Sequence, residues 1–91
     1  MDLKELRGEI DKIDDELVKL FCARMDVAAR IADFKKEQGL PIYHPVREQE
    51  KLQDVAFKAG VEMADYTKEL YRLLFELSRS YQSKRSDEVD G

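Results

Sequence analysis

The chain has no tryptophan, two prolines, one cysteine and one histidine in 91 residues. A single cysteine, Cys22, cannot form an internal disulfide, which fits a reducing compartment and a cytoplasmic protein. A single histidine, His44, leaves no His/Cys cluster, so neither a metal nor a cofactor is expected. No apolar run exceeds a few residues, too short to span a membrane. The N-terminus is acidic and amphipathic, without the apolar h-region of a signal peptide. The net charge of −4 lacks the basic footprint that nucleic acid requires.

What is present is charge set on helical spacing. The sequence is 43% hydrophobic and 40% charged, which with its periodicity indicates an all-α protein rich in exposed charge. From Leu3 onward, apolar residues alternate at three and four: Leu3, Leu6, Ile10, Ile13, Leu17, Leu20, then Val27, Ile31 and Phe34. This is the seam of a long helix packed against other helices. One seam position, Arg24, carries a guanidinium, and a charge in an apolar seam is costly unless an anion meets it. Arg24 therefore either pairs with Glu or Asp on another helix, fixing register, or awaits an anionic ligand.

Asp2 followed three residues later by Glu5 predicts a capped helix start. Gly39 and Pro41 predict its stop, so helix 1 covers about residues 3–38. At 1.5 Å per residue it is about 53 Å long, whereas a compact chain of this size is about 30 Å across. Its seam needs a second chain to cover it. Helix 2 is expected from Pro45 to about Lys58, with Val46, Leu52, Val55 and Ala59 as its apolar stripe and Gly60 as its end. Helix 3 is expected to be capped by Asp65 and to reach about Lys84. Its expected core face is Tyr66, Leu70, Leu73, Leu74, Leu77 and Tyr81. Residues 1–85 form one domain, and 86–91 a polar C-terminal tail. Three helices, the first too long for a monomer, predict an intertwined helical homodimer.

Arg24 and Lys35 are eleven residues apart, three turns, so they share a face about 16 Å apart along the axis. With both side chains leaning inward, the remaining gap suits a small anionic molecule. Arg7 lies about 25 Å from Arg24 on the same rod and cannot share a small ligand with it. In an antiparallel dimer the partner's Arg7 could arrive there. Ser78 and Gln82, four apart near the end of helix 3, add neutral hydrogen-bonding groups. Glu48 and Lys51 lie near the start of helix 2, where Glu48 also suits the helix dipole. Ser78 and Gln82 are equally ordinary polar residues, and Lys35 and Arg7 equally solvated cations, on spacing alone.

The order and spacing of Leu6–Arg7–Gly8–Glu9–Ile10–Asp11–Lys12–Ile13–Asp14, Ala23–Arg24–Met25, the Lys35 region, Pro45–Val46–Arg47–Glu48 and Glu76–Leu77–Ser78–Arg79–Ser80–Tyr81–Gln82 add a further line. Over residues 3–82 the chain resembles the all-helical (AroQ-class) chorismate mutases, in particular the mutase portion of fused chorismate mutase–prephenate dehydratase proteins. The resemblance implies an isomerase that converts chorismate, a small dianion, to prephenate in aromatic amino acid biosynthesis. It implies a dimer of three-helix chains. Arg24 matches the arginine on one substrate carboxylate, and Arg7, from the other subunit, the arginine on the second. Lys35 and Gln82 match the catalytic pair flanking the ether oxygen. Glu48 matches the acidic residue that takes the ring hydroxyl, and Ser78 a serine lining the site. Lys51 and Leu52 stand where one branch of the family is read to have an arginine and a glutamate in the substrate site. Two other readings compete: an isochorismate pyruvate lyase on the same scaffold, and a non-catalytic helical dimerisation or regulatory domain.

Overall fold

In the computed structural model residues 2–90 are described, with side chains as far as Arg85. Three helices follow one another: α1 (Leu3–Gln38), α2 (Pro45–Ala59) and α3 (Ala64–Asp90). No strand occurs among the described residues, so the chain is all-α.

Each end of α1 is set by local chemistry. The Asp2 carboxylate accepts from the Glu5 amide at 2.9 Å, satisfying a donor that no helical carbonyl can reach. At the other end Gly39 adopts φ 68°, the left-handed conformation open to a residue without Cβ. The Gly39 amide then reaches the Lys36 carbonyl, and the Leu40 amide reaches the Lys35 carbonyl at 2.8 Å, completing a Schellman stop. The stop of α2 at Gly60 also takes a positive φ, 86°, but with an extended ψ of 163°.

α3 is the common partner of the other two helices. It packs on both α1 and α2, which do not pack on each other. The contact with α1 is made through Ala28, Ala29 and Ala32, all buried, which sit one or two positions off the apolar seam. Small side chains there let the α3 axis come close. From α3 the buried residues are Phe75, Ser78 and Gln82, and from α2 they are Leu52 and Val55. The charged ends are tied by Arg85, which donates to both Asp33 oxygens at 3.2 and 3.0 Å, a two-pronged bond between α3 and α1.

Several expectations are corrected. The predicted α3 stripe is not the face buried within the chain: Tyr66, Leu70, Leu73, Leu77 and Tyr81 are exposed. Apolar content marks that stripe for burial, but α3 turns its mixed face of Phe75, Ser78 and Gln82 inward, where the alanines leave room. Val46, expected on the α2 stripe, is 61% exposed. Asp65 lies inside the first turn of α3 rather than capping it, because a turn closed by the Met63 amide on the Gly60 carbonyl feeds straight into the helix. The helix also continues past Lys84 to Asp90, so the backbone of the expected tail is helical as far as that residue. No Gly or Pro between 61 and 90 interrupts it. Gly91 lies outside the described residues.

The result is long and flat, 54 × 28 × 14 Å, with a radius of gyration of 16.4 Å. A compact chain of this length would have a radius of about 12 Å. The α1 seam lies open: its nine apolar residues are between 43% and 66% exposed. An apolar row of that length marks an association surface. No helix among the described residues is long and apolar enough to cross a membrane.

The Arg85 hydrogen bond holds the Asp33 carboxyl below its usual 3.8; desolvation opposes this, and the charges of Arg85 and Lys36 reinforce it. A carboxyl with a depressed folded pKa adds stability above its unfolded value and loses it as pH falls through the folded one. The melting temperature should therefore drop as pH falls from about 5 towards 3. Asp33→Asn, which cannot titrate, should melt lower than the parent at neutral pH and lose less over that acid window. Thermal melts of both proteins across the window check this, and parallel acid losses would contradict it.

Candidate active site

Three segments converge beside the α1–α3 contact: the middle of α1, the connector 39–44 with the first turns of α2, and the second half of α3. Between them lies a cavity of about 290 Å³, near the lower end of the range for small-molecule sites, about 300 Å³ upward.

Arg24 leaves α1 towards α3. Its Nη1 donates to Ser78 Oγ at 2.9 Å. Its guanidinium carbon lies 5.8 Å from the ring centres of both Tyr71 and Phe75, within cation–π range. The two rings meet edge to face, 6.0 Å apart at 69°. Ser78 accepts from Arg24 and turns its own proton to the Met25 sulfur at 3.8 Å. Among the described residues no carboxylate pairs with Arg24. The register-fixing ion pair is therefore not made within the chain, and the positive charge stays available to a ligand.

Lys35 donates from Nζ to the Ile42 carbonyl at 2.8 Å. An ammonium has three donors, so this bond fastens the connector to α1 and leaves two. Gln82 is buried and donates from Nε2 to the Ala28 carbonyl at 2.9 Å. A helical carbonyl has a second lone pair to accept it, and the Ala28 side chain is too small to obstruct the approach. The acceptor fixes which end of the amide is nitrogen, and the second N–H remains for an oxygen in the cavity.

The connector delivers α2. His44 Nδ1 accepts from the Arg47 amide at 3.0 Å, so the histidine is the N-cap, with Pro45 in the first turn. Glu48 follows one turn later. Its Oε2 accepts a short ion pair from Arg79 Nη1, and the Arg79 guanidinium lies 4.8 Å over the Tyr43 ring. Lys51 lines the cavity while reaching Asp54 at 3.4 Å. The Asp54 carboxyl is held below its usual value, first by the Lys58 hydrogen bond at 3.0 Å and then by that of Lys51, against desolvation.

Of the residues expected from sequence, Arg24, Lys35, Glu48, Lys51, Ser78 and Gln82 all line this one cavity. Arg7 does not; it is exposed near the far end of α1. Leu52 is a correction. It is 5% exposed, buried among the core residues and absent from the cavity wall. Leu52 points about 100° further round α2 than Lys51, which turns it from the cavity into the core. The sequence reading missed Arg47 and Arg79, which also line it. Arg47 shares the His44–Glu48 turn and Arg79 lies one turn from Gln82, so helical spacing from residues already singled out could have found both. Among the described residues the wall thus holds five cations (Arg24, Lys35, Arg47, Lys51 and Arg79) and one carboxylate, Glu48. Such a site selects a small molecule with more than one negative charge.

Residues 6–83 match the model of the chorismate mutase type II family, and the chain belongs to that family. It is 42% identical over 73 residues to the T-protein of Haemophilus influenzae, covering 77% of this chain and 19% of that protein. It is 49% identical over 49 residues to the bifunctional chorismate mutase/prephenate dehydratase of Aquifex aeolicus, covering 54% and 14% respectively. With the chorismate mutase of Methanocaldococcus jannaschii the identity is 41% over 46 residues, covering 50% and 46%. The chain spans less than half the length of each of these relatives.

Proposed function

We propose that this chain is a chorismate mutase, acting as a cytoplasmic homodimer on chorismate and converting it to prephenate. One observation carries the reading: Arg24, Lys35 and Gln82 reach one cavity from two helices, each with donors to spare. Membership of the family supports it.

The rearrangement is unimolecular and [3,3]; one carbon–oxygen bond breaks as one carbon–carbon bond forms. It needs no nucleophile and no acid–base pair. The protein can contribute in two ways. It can hold a flexible dianion in the folded conformer that brings the reacting carbons together. It can also place donors where negative charge grows on the ether oxygen. In this reading Arg24 forks one carboxylate, and Ser78 with the Tyr71 and Phe75 rings fixes its direction. The second carboxylate takes the partner subunit's Arg7, since this chain's own Arg7 stands about 25 Å away along α1. Lys35 and the free N–H of Gln82 approach the ether oxygen from two sides. Glu48 accepts the ring hydroxyl, and Lys51 and Arg47 add positive potential. The open α1 seam supplies the surface that brings two chains together.

Chorismate loss with prephenate formation, on protein whose mass in solution is that of a dimer, tests the assignment. Salicylate formed from isochorismate instead would favour the lyase, and an inert folded dimer a non-catalytic role. Losing a donor aimed at developing charge typically costs about 3–4 kcal/mol of transition-state stabilisation. Arg24→Ala and Lys35→Ala should each lower kcat/KM by at least about a hundredfold. Parental rates in either variant would remove that residue from the mechanism. Arg7→Ala and Arg24→Ala chains, each inactive alone, should regain part of the activity when mixed, because one site of the heterodimer keeps both arginines. No recovery after confirmed subunit exchange would place Arg7 outside the site.

A further inference from the structure

Among the cavity residues, the pair between Glu48 and Arg79 is the one that function has not absorbed. Among the described residues Glu48 is the sole carboxylate on a wall of five cations. Arg79 engages its Oε2, and among the described residues no donor engages Oε1, which can accept from a ligand. The Arg79 head group is held from behind by the Tyr43 ring at 4.8 Å, and its side chain is 35% exposed against 21% for Glu48. The guanidinium is therefore a fixed counter-charge lying against the carboxylate.

We propose that Arg79 is a specificity-determining positioning residue: by neutralising Glu48 it makes the site accept a neutral ring hydroxyl and reject a ring ammonium at the same position. This rests on the reading that Glu48 meets the ring hydroxyl. A hydroxyl needs one oriented lone pair, which Oε1 supplies whether or not Oε2 is paired. A protonated amine needs net negative charge opposite it. A carboxylate already matched by a guanidinium offers little, and Arg79, Arg47 and Lys51 repel the incoming charge. Discrimination of this kind works by a repulsive element as well as an attractive one. Removing the Arg79 charge leaves Glu48 as a free anion and turns the same pocket towards the cation. Arg79 need touch no substrate atom for this, because it acts by pairing with Glu48 and by repulsion through space.

The test compares kcat/KM for chorismate with that for 4-amino-4-deoxychorismate, whose ring amine is protonated near neutral pH. The full chain is used as wild type, Arg79→Gln, Arg79→Lys, Glu48→Gln and the Glu48→Gln/Arg79→Gln double variant. A ratio between two substrates cancels any loss of folded protein, which affects both alike. Arg79→Gln should raise the amine-to-hydroxyl ratio at least about tenfold, the equivalent of about 1.4 kcal/mol. Arg79→Lys should return the ratio towards the wild-type value, and in the Glu48→Gln background, where no carboxylate faces the amine, Arg79→Gln should raise it by much less. Should Arg79→Gln fail to fold, Arg79→Met keeps the stem against Tyr43 without the charge and should show the same rise. A ratio that does not rise in the uncharged variants, or that rises equally without Glu48, overturns the proposal. Two failures are told apart by the wild type. If it turns over chorismate and Glu48→Gln slows it while the ratio ignores Arg79, only the specificity role falls. If it leaves chorismate untouched, the mutase reading falls and takes this proposal with it.

Discussion

A guanidinium placed in an apolar helix seam, with no carboxylate among the described residues against it, is the constraint that organises this molecule. Arg24 cannot stay among Leu20, Val27 and Ile31 without compensation, and α3 provides only part of it: one hydroxyl and two aromatic faces. Neither Ser78 nor the rings neutralise the charge. The position of α3 follows from the same point, since Phe75, Ser78 and Gln82 must face the stretch of α1 where alanines allow approach. What looks like an imperfect core is a core interrupted to leave charge unspent.

The connector passes this arrangement on to α2. Lys35 fastens the Ile42 carbonyl to α1, and Arg79 lies on Tyr43 from the side of α3. His44, next along, caps α2, so the place where the helix begins, and with it the place of Glu48, is set by bonds from both neighbouring helices. The cavity side chains are thus held in place by the chain itself, the preorganisation that electrostatic catalysis would require. They are held by interactions that use only part of each side chain's donor or acceptor capacity. Two of them, the Lys35 and Gln82 bonds, end on backbone carbonyls, which no substitution at Ile42 or Ala28 would delete as acceptors.

Much of this is legible in the sequence, and the reasons are local. The bounds of α1 follow from Asp2, Glu5 and Gly39, whose effects act within one turn. The shared face of Arg24 and Lys35 follows from the helical period. The excess length of α1 over a compact globule points to a second chain, and the open seam agrees with it. Less legible is which face of α3 turns inward. Its richest apolar stripe, Tyr66 to Tyr81, stays exposed, and the face chosen is recognised only when set against Ala28, Ala29 and Ala32 of a helix about fifty residues away in sequence. Leu52 was expected in the site because it stands where one branch of the family is read to have a glutamate, yet it faces the core. Arg79 is within reach of helical spacing, one turn from Gln82, but its pairing with Glu48 comes only from the packing of α2 on α3. Pairings between distant segments are what periodicity cannot supply.

The central claim is that a small dianion is enclosed by cations drawn from two chains. A crystal structure of the protein with a bound dicarboxylate product or analogue tests it most directly. The account predicts one carboxylate forked by Arg24 and the other by the partner subunit's Arg7, with Lys35 and Gln82 against the oxygen between them. A ligand held entirely by one chain, with every Arg7 head group in bulk solvent, would contradict it.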